Sequence, residues 1–332
     1  MLKTKDIREK VKDIGDFLLD QYKAAHPEAE RDWRTYEERL NFRIKHAMRS
    51  LEPLVDEAVG KLHVIRATGR PPQLTIKQKV MLLLTKSLVE KSNRNMAGML
   101  MMFSLLSEID VSYKTIERLY SDPEVELAIH NLHVLILKKK GVGAANACGD
   151  GTGYSLTVKK NYASEVQKRK DKAKENQPQE KMAFAYSFRL MDIETQLYIA
   201  FGMSLRSEKE AFDRAMVMLS ETGVRLESIR LDRYYSAPAY VDRFERGTKV
   251  YVIPKKNATV RGSWAWKERM GEFVDDTMDY LEEYYMRNLS EAGFSSDKRN
   301  FGWDVRQRRD ERIDMALNCT GVWHNLLNMG RT

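Results

Sequence analysis

Residues 138–153 read Lys-Lys-Lys-Gly-Val-Gly-Ala-Ala-Asn-Ala-Cys-Gly-Asp-Gly-Thr-Gly, and the character of the chain changes within them. Residues 144–150 have the make-up of a short buried strand ending in an acid. Downstream, strand and helix patterns alternate. Residues 182–191 and 196–204 suggest a hairpin turning at 192–195, then 208–222 a helix, 226–232 a strand, 238–246 a helix, 249–254 a strand and 275–292 a long helix. The order βββαβαβα predicts a layered α/β core with a mixed sheet flanked by helices. Between the first strand and the hairpin, residues 159–181 hold eight Lys/Arg and four Asp/Glu around a Gln-Pro-Gln centre, which predicts a basic loop with little to bury.

Upstream of residue 141 the pattern is helical throughout. Ile7, Val11, Ile14, Phe17 and Leu18 recur at helical spacing, Leu40, Ile44 and Leu51 continue the pattern, and Pro27 and Pro53 mark breaks. Gly69-Arg70-Pro71-Pro72 punctuates the chain as a linker near 68–73, with entry into an A·T-rich minor groove as its other open role. Three helices follow, over 75–90, 94–106 and 112–121, a spacing that suits a helix-turn-helix module. In such a module Lys114 and Arg118 stand on the helix that reads base edges; as plain scaffold it needs neither. The expected division is therefore a helical region over 1–140, a candidate DNA-binding part, and an α/β domain over 141–332.

Composition narrows the partners. The 332 residues carry 56 Lys/Arg against 48 Asp/Glu, a formal charge of +8, which favours a polyanion: nucleic acid first, an anionic membrane surface second. Against the membrane, the longest apolar runs, 80–84 and 96–106, fall short of the ~20 residues a spanning helix needs. The first residues, MLKTKDIREKVKDIGDF, are charged throughout and lack a secretory core, so a cytoplasmic, nucleoid-associated protein is expected. Cys148 and Cys319 fall outside any C-x-x-C spacing and are expected as reduced structural thiols. The six histidines, His130 and His133 among them, lack a matching ligand set for zinc.

Three acids fall where this order of elements converges. Asp150 ends the first predicted strand, Asp232 the fourth, in Ile-Arg-Leu-Asp-Arg-Tyr-Tyr, and Glu291 lies late on the last long helix. If the first and fourth strands are parallel neighbours, their carboxyl ends open at one edge, where α/β sheets bind ligands. Crowded carboxylates in a basic protein imply compensation by hard divalent cations, Mg²⁺ or Mn²⁺. Two such ions can activate a water or a 3′-hydroxyl and stabilise the leaving oxygen of a phosphodiester. Either Asp alone reads equally as a helix cap or turn former.

The stretch Tyr284-Tyr-Met-Arg287-Asn-Leu-Ser-Glu291-Ala-Gly-Phe-Ser-Ser-Asp-Lys298 sharpens the reading. On one helix Tyr284, Arg287 and Glu291 share a face, offering a carboxylate to metal and a cation and hydroxyl to a DNA phosphate, with Lys298 beyond the helix end; an ordinary amphipathic edge has the same spacing. Gly293 threatens the helix just past Glu291.

The spacing Y-x2-R-x3-E-x6-K resembles the YREK signature of a large group of insertion-sequence DDE transposases, matched here at every position. The resemblance extends to the DGTG at Asp150 and the D-x-x-Y at Asp232–Tyr235, over roughly residues 144–328. It implies a ribonuclease H-like core, catalytic metals held by Asp150, Asp232 and Glu291, DNA contacts from Tyr284, Arg287 and Lys298, and pairing of two DNA ends by a homodimer. The interval from Asp232 to Glu291 is too short for the β-rich insertion some relatives carry. Trp264 and Trp266, expected in a loop bordering the site, have two open roles, stacking on a flipped base or packing in the core. The segment 298–312, with six Lys/Arg against three acids, extends the basic surface or is simply a solvated face. The expected function is excision and strand transfer of a transposon on double-stranded DNA. The alternatives are a DNA-binding derivative without catalysis and a stand-alone ribonuclease H-like nuclease.

Overall fold

A computed structural model describes residues 2–27, 32–64, 72–89, 109, 111–156 and 184–330. Most of the linker near 68–73, the helix expected over 94–106 and the basic loop 159–181 lie outside them. The helix-turn-helix expectation, which needs that middle helix, lies outside them too.

The N-terminal part is helical: α1 (Thr4–Asp13), a π-turn (Ile14–Leu18), α2 (Leu19–Ala25), α3 (Trp33–Gly60), α4 (Ile76–Leu88), α5 (Tyr113–Leu119) and α6 (Pro123–Lys139). The break at Pro27 is present, since α2 ends two residues before it. Pro53 does not break the chain; it lies inside α3. A proline there forfeits one backbone bond. Its neighbours Leu51, Leu54, Val55 and Ala58 are buried in the main core, and packing of that apolar face outweighs the local preference. Phe17 and Ile44, which belong to the same helical spacing, are exposed.

At Gly141, which adopts a positive φ of 72°, the helical part gives way to β1 (Ala144–Leu156). Then follow β2 (Phe184–Asp192), β3 (Tyr198–Ser204), α7 (Glu208–Thr222), β4 (Arg225–Leu231), a 3-10 turn (Arg233–Tyr235), α8 (Pro238–Val241), β5 (Lys249–Tyr251), α9 (Trp264–Asp275), α10 (Thr277–Tyr285), α11 (Asn288–Phe301), β6 (Asp304–Val305) and α12 (Asp310–Met329). The sheet order is β3-β2-β1-β4-β5, with β6 pairing the end of β1. β1, β2 and β3 form an antiparallel meander, while β4 and β5 run parallel to β1. This is the mixed, helix-flanked sheet of a ribonuclease H-like α/β protein.

The buried helix α12, absent from the sequence expectations, ties the two parts together. It packs against α3, α6, α4 and β3, and the Trp323 indole donates to the Leu84 carbonyl at 2.9 Å. Among the described residues the main hydrophobic core runs from Ile7 to Leu327, and a smaller cluster gathers Tyr154, Ala185, Met203, Val305, Ile313 and Leu317. The two cysteines are free and buried, and burial pushes both thiols up to about 12. Among the described residues no helix is long and apolar enough to cross a membrane.

Candidate active site

The parallel pairing of β1 and β4 ends at Gly149 opposite Leu231, so the next residues, Asp150 and Asp232, lie side by side. Asp150 does not end its strand, contrary to expectation. β1 runs on to Leu156, because β2 continues to pair with it as far as Ser155–Phe184. The glycine-rich run that reads as a turn is therefore ladder. What ends at Asp150 is β4's cover, which leaves that flank of the acid open. Asp232 caps the 3-10 turn, its Oδ2 accepting from the Tyr234 amide at 3.3 Å. Capping and a place beside Asp150 turn out to be compatible.

The long helix expected over 275–292 is three pieces. Asp276 separates α9 from α10 and accepts from the Asp279 amide at 3.3 Å, and a tight turn at Met286–Arg287 separates α10 from α11. The helices on either side of the second break pack on different strands. α10 lies against β4 and β5, held by the Tyr280 hydroxyl on the Val252 amide at 3.0 Å and by buried Arg230, which donates to the Glu283 carbonyl at 3.1 Å and pairs with its carboxylate. α11 packs instead on β1, and between the two the hydrogen bonding tightens to i→i−3, as in the Arg287 amide on the Tyr284 carbonyl at 3.0 Å. The one unbroken helix expected for Tyr284, Arg287 and Glu291 is therefore interrupted, although Arg287 still lies against both the Tyr284 ring and the Glu291 carboxylate. Tyr284 is 4% exposed, sits in the core beneath Arg287, and burial first of all pushes its phenol up to about 12.

The break aims Arg287 at the acids. Its Nη1 donates to Asp150 Oδ2 at 2.9 Å and its Nη2 to Glu291 Oε1 at 2.8 Å, while its Nε is buried with no partner among the described residues. Asp150, with 16% of its side chain exposed, also accepts from the Gly151 amide at 2.8 Å. Burial pushes its carboxyl up to about 6; Arg287 and the Gly151 amide oppose that, and the charges of Asp232 and Glu291 add to it. Glu291, in the first turn of α11, is 56% exposed. Lys298 closes the group, its Nζ donating to Thr152 Oγ1 at 2.7 Å and to the Gly153 carbonyl at 3.1 Å. Gly293 does not break α11. It lets the helix approach the sheet, where a Cβ would stand 2.9 Å from the Tyr198 hydroxyl.

A protein of Archaeoglobus fulgidus described as a probable transposase for insertion sequence element ISA1214 is 43% identical over 322 residues, spanning 97% of this chain and 94% of that protein. This chain belongs to the insertion-sequence transposases. No family model matches the sequence. No solved structure matches it significantly.

In this transposase the remaining expected residues fall in different places. Trp264 and Trp266 are not in a loop but in the first turn of α9, because Ser263 caps that helix through the Trp266 amide. Trp266 is 2% exposed and its indole donates to the Thr259 carbonyl at 2.9 Å, so it is a core residue; Trp264 is 66% exposed. Lys114 and Arg118 are exposed on α5.

Two features escaped the sequence. Arg189, buried in β2, pairs with buried Asp297 of α11, which also accepts from the Tyr198 hydroxyl at 2.7 Å and faces His324 Nδ1 at 2.7 Å. The signal was an arginine inside the otherwise apolar Phe-Arg-Leu-Met of a strand, a position that requires a buried counter-charge. The other is Glu208, whose Oε1 accepts from the Tyr235 hydroxyl at 2.7 Å.

Among the described residues no three Asp, Glu, His or Cys side chains stand close enough to grip a metal as placed, since Arg287 spans Asp150 and Glu291. The donor chemistry nevertheless fits Mg²⁺ or Mn²⁺. All three are carboxylates, and the raised Asp150 carboxyl is one that a nearby cation would favour in its charged form.

Proposed function

We propose that this transposase uses Asp150, Asp232 and Glu291 to hold two Mg²⁺ or Mn²⁺ ions, cuts phosphodiesters at transposon ends and transfers the 3′-hydroxyl into target DNA. The observation that carries the reading is the meeting of three distant segments at the open edge of β1, with Asp232 beside Asp150 and Arg287 bridging Asp150 and Glu291. The name of the A. fulgidus relative supports the same activity.

The ions, when bound, supply Lewis-acid activation of the attacking oxygen and stabilisation of the leaving one. The chain's own groups divide the remaining work. Asp150 provides hard oxygen ligands from β1 and Asp232 from the turn that follows β4, and Glu291 provides one from the exposed first turn of α11. Arg287 exchanges its carboxylates for a DNA phosphate when the site fills, a bidentate partner for which a guanidinium is suited. Lys298, anchored on Thr152 and Gly153, contacts a neighbouring phosphate. Tyr284 acts from beneath by supporting Arg287. Residues 1–140, with Lys114 and Arg118 exposed, bind the end sequence, and a homodimer pairs two ends. Trp264 is the indole available to DNA.

The test is a Mg²⁺-dependent joining assay with double-stranded DNA carrying the element's terminal inverted repeat. The wild-type chain joins 3′-ends to target, and Asp232→Ala lowers the rate at least about 10³-fold, reflecting several kcal/mol of lost charge stabilisation. Asp232→Ala protein that still joins DNA overturns the assignment. Cleavage without joining by the wild type would make the chain a nuclease instead.

A further inference from the structure

Glu208 is the first residue of α7, and Ser207 caps that helix by accepting from the Glu210 amide at 3.2 Å. α7 is seated on β3 and β2 so closely that Gly202 has no room for a Cβ beneath Ala211 and Ala215. The backbone at Glu208 is therefore fixed by the sheet. Its carboxyl lies directly over Gly151, where a Cβ would collide with Cγ, Cδ and Oε1. A side chain at position 151 would displace the Glu208 carboxyl from this place.

The same carboxylate reaches the second acid through Tyr235. Tyr235 is fully buried among Phe188, Phe212 and Tyr240, and its hydroxyl donates to Glu208 Oε1 at 2.7 Å. Its amide donates to the Asp232 carbonyl at 2.9 Å, closing the turn that Asp232 caps. Glu208 thus touches the residue after Asp150 on one side and the turn carrying Asp232 on the other. β2 holds Asp150 in register with Arg189, but backbone pairing between β1 and β4 stops at Gly149–Leu231, so no ladder bond ties Asp232 to Asp150.

We propose that Glu208 is a positioning residue that, through Tyr235, sets the separation of Asp150 and Asp232. This deepens the proposed function and rests on it. Glu208 acts by accepting a hydrogen bond, so its charge is dispensable and an amide oxygen replaces it.

Four variants test this: Glu208→Gln, Glu208→Ala, Tyr235→Phe and the double Glu208→Ala/Tyr235→Phe. Each is compared with the wild type by calorimetric titration with Mn²⁺ alone and by the Mg²⁺ concentration giving half-maximal end cleavage. Glu208→Ala and Tyr235→Phe are expected to weaken metal binding about tenfold, the usual size when a group supporting metal ligands is lost. Glu208→Gln should stay within about twofold of wild type, and the double variant should be no worse than either single one, as for two ends of one bond. The Tm of each variant separates this from unfolding, because a merely structural role lowers Tm and leaves metal affinity in the folded protein unchanged. Unchanged metal affinity in Glu208→Ala overturns the proposal. So does a Glu208→Gln protein as impaired as Glu208→Ala, which would mean the charge itself acts. A wild type that neither binds Mn²⁺ nor cleaves would sink the metal-dependent reading first and this inference with it, whereas intact wild-type binding with indifferent variants sinks the inference alone.

Discussion

Two arginine–aspartate pairs engage α11, and their surroundings differ in almost every respect. Asp297 is buried and saturated: Arg189, the Tyr198 hydroxyl and His324 all converge on its two oxygens. Asp150 stands at an open edge with only Arg287 and its own neighbouring amide, and Arg287 keeps a buried Nε unpaired among the described residues. A saturated buried pair holds one geometry, because any rearrangement strands a charge in a medium that solvates it poorly. An under-bonded pair at an edge can trade partners at small cost. The first kind fixes where α11 sits; the second leaves the acids on either side of Arg287 available for exchange.

The largest effect should come from breaking the saturated pair. Asp297→Ala leaves Arg189 buried without its counter-charge and is expected to destabilise the fold by about 3–5 kcal/mol, read from the midpoint of urea unfolding. A loss below about 1 kcal/mol would mean that the two pairs are energetically alike.

Next in size is a pH effect at Asp150. Its carboxyl is pushed up to about 6 in the fold against 3.8 as the reference, so the native state binds the proton more tightly than the unfolded chain. The contribution of Asp150 to stability in EDTA should therefore be greatest below about pH 4, fall as pH rises through 6, and level off above, by at most on the order of 3 kcal/mol, read as the difference between the wild-type and Asp150→Asn curves. Asp150→Asn cannot ionise and should flatten that part of the curve. An identical pH profile in the variant would show that Arg287 already satisfies the carboxylate.

The same contrast explains what could be read from the sequence. Strands that carry the acids were legible because a short apolar run ending in Asp is a local signal, and α7 occupies the expected residues 208–222 because a capping serine and helical spacing are local too. The site's assembly was less so. Apolar spacing continues through 284–291 on both sides of the break, so periodicity cannot reveal that α10 serves β4 and β5 while α11 serves β1. β6 is two residues long and pairs with a strand end about 150 positions earlier, a contact no window can see. Arg189 and Asp297 stand 108 residues apart, and their pairing is a product of the fold that no local pattern announces. The spacing of Tyr284, Arg287, Glu291 and Lys298 suggested one unbroken helix through Glu291, where the structure has a tight turn at Met286–Arg287.

The smallest effect probes the exchange itself. If Arg287 leaves Asp150 and Glu291 to take a DNA phosphate, Arg287→Ala removes one counterion-releasing contact. The slope of log K against log salt for end DNA should then become shallower by about one, with affinity at moderate salt falling no more than roughly tenfold, because breaking the two carboxylate contacts offsets part of the gain. Arg189 lies in the core and cannot reach DNA, so Arg189→Met should leave the slope unchanged in whatever fraction stays folded. An unaltered slope in Arg287→Ala would place Arg287 with the acids throughout, and the difference between the two pairs would then be one of burial alone.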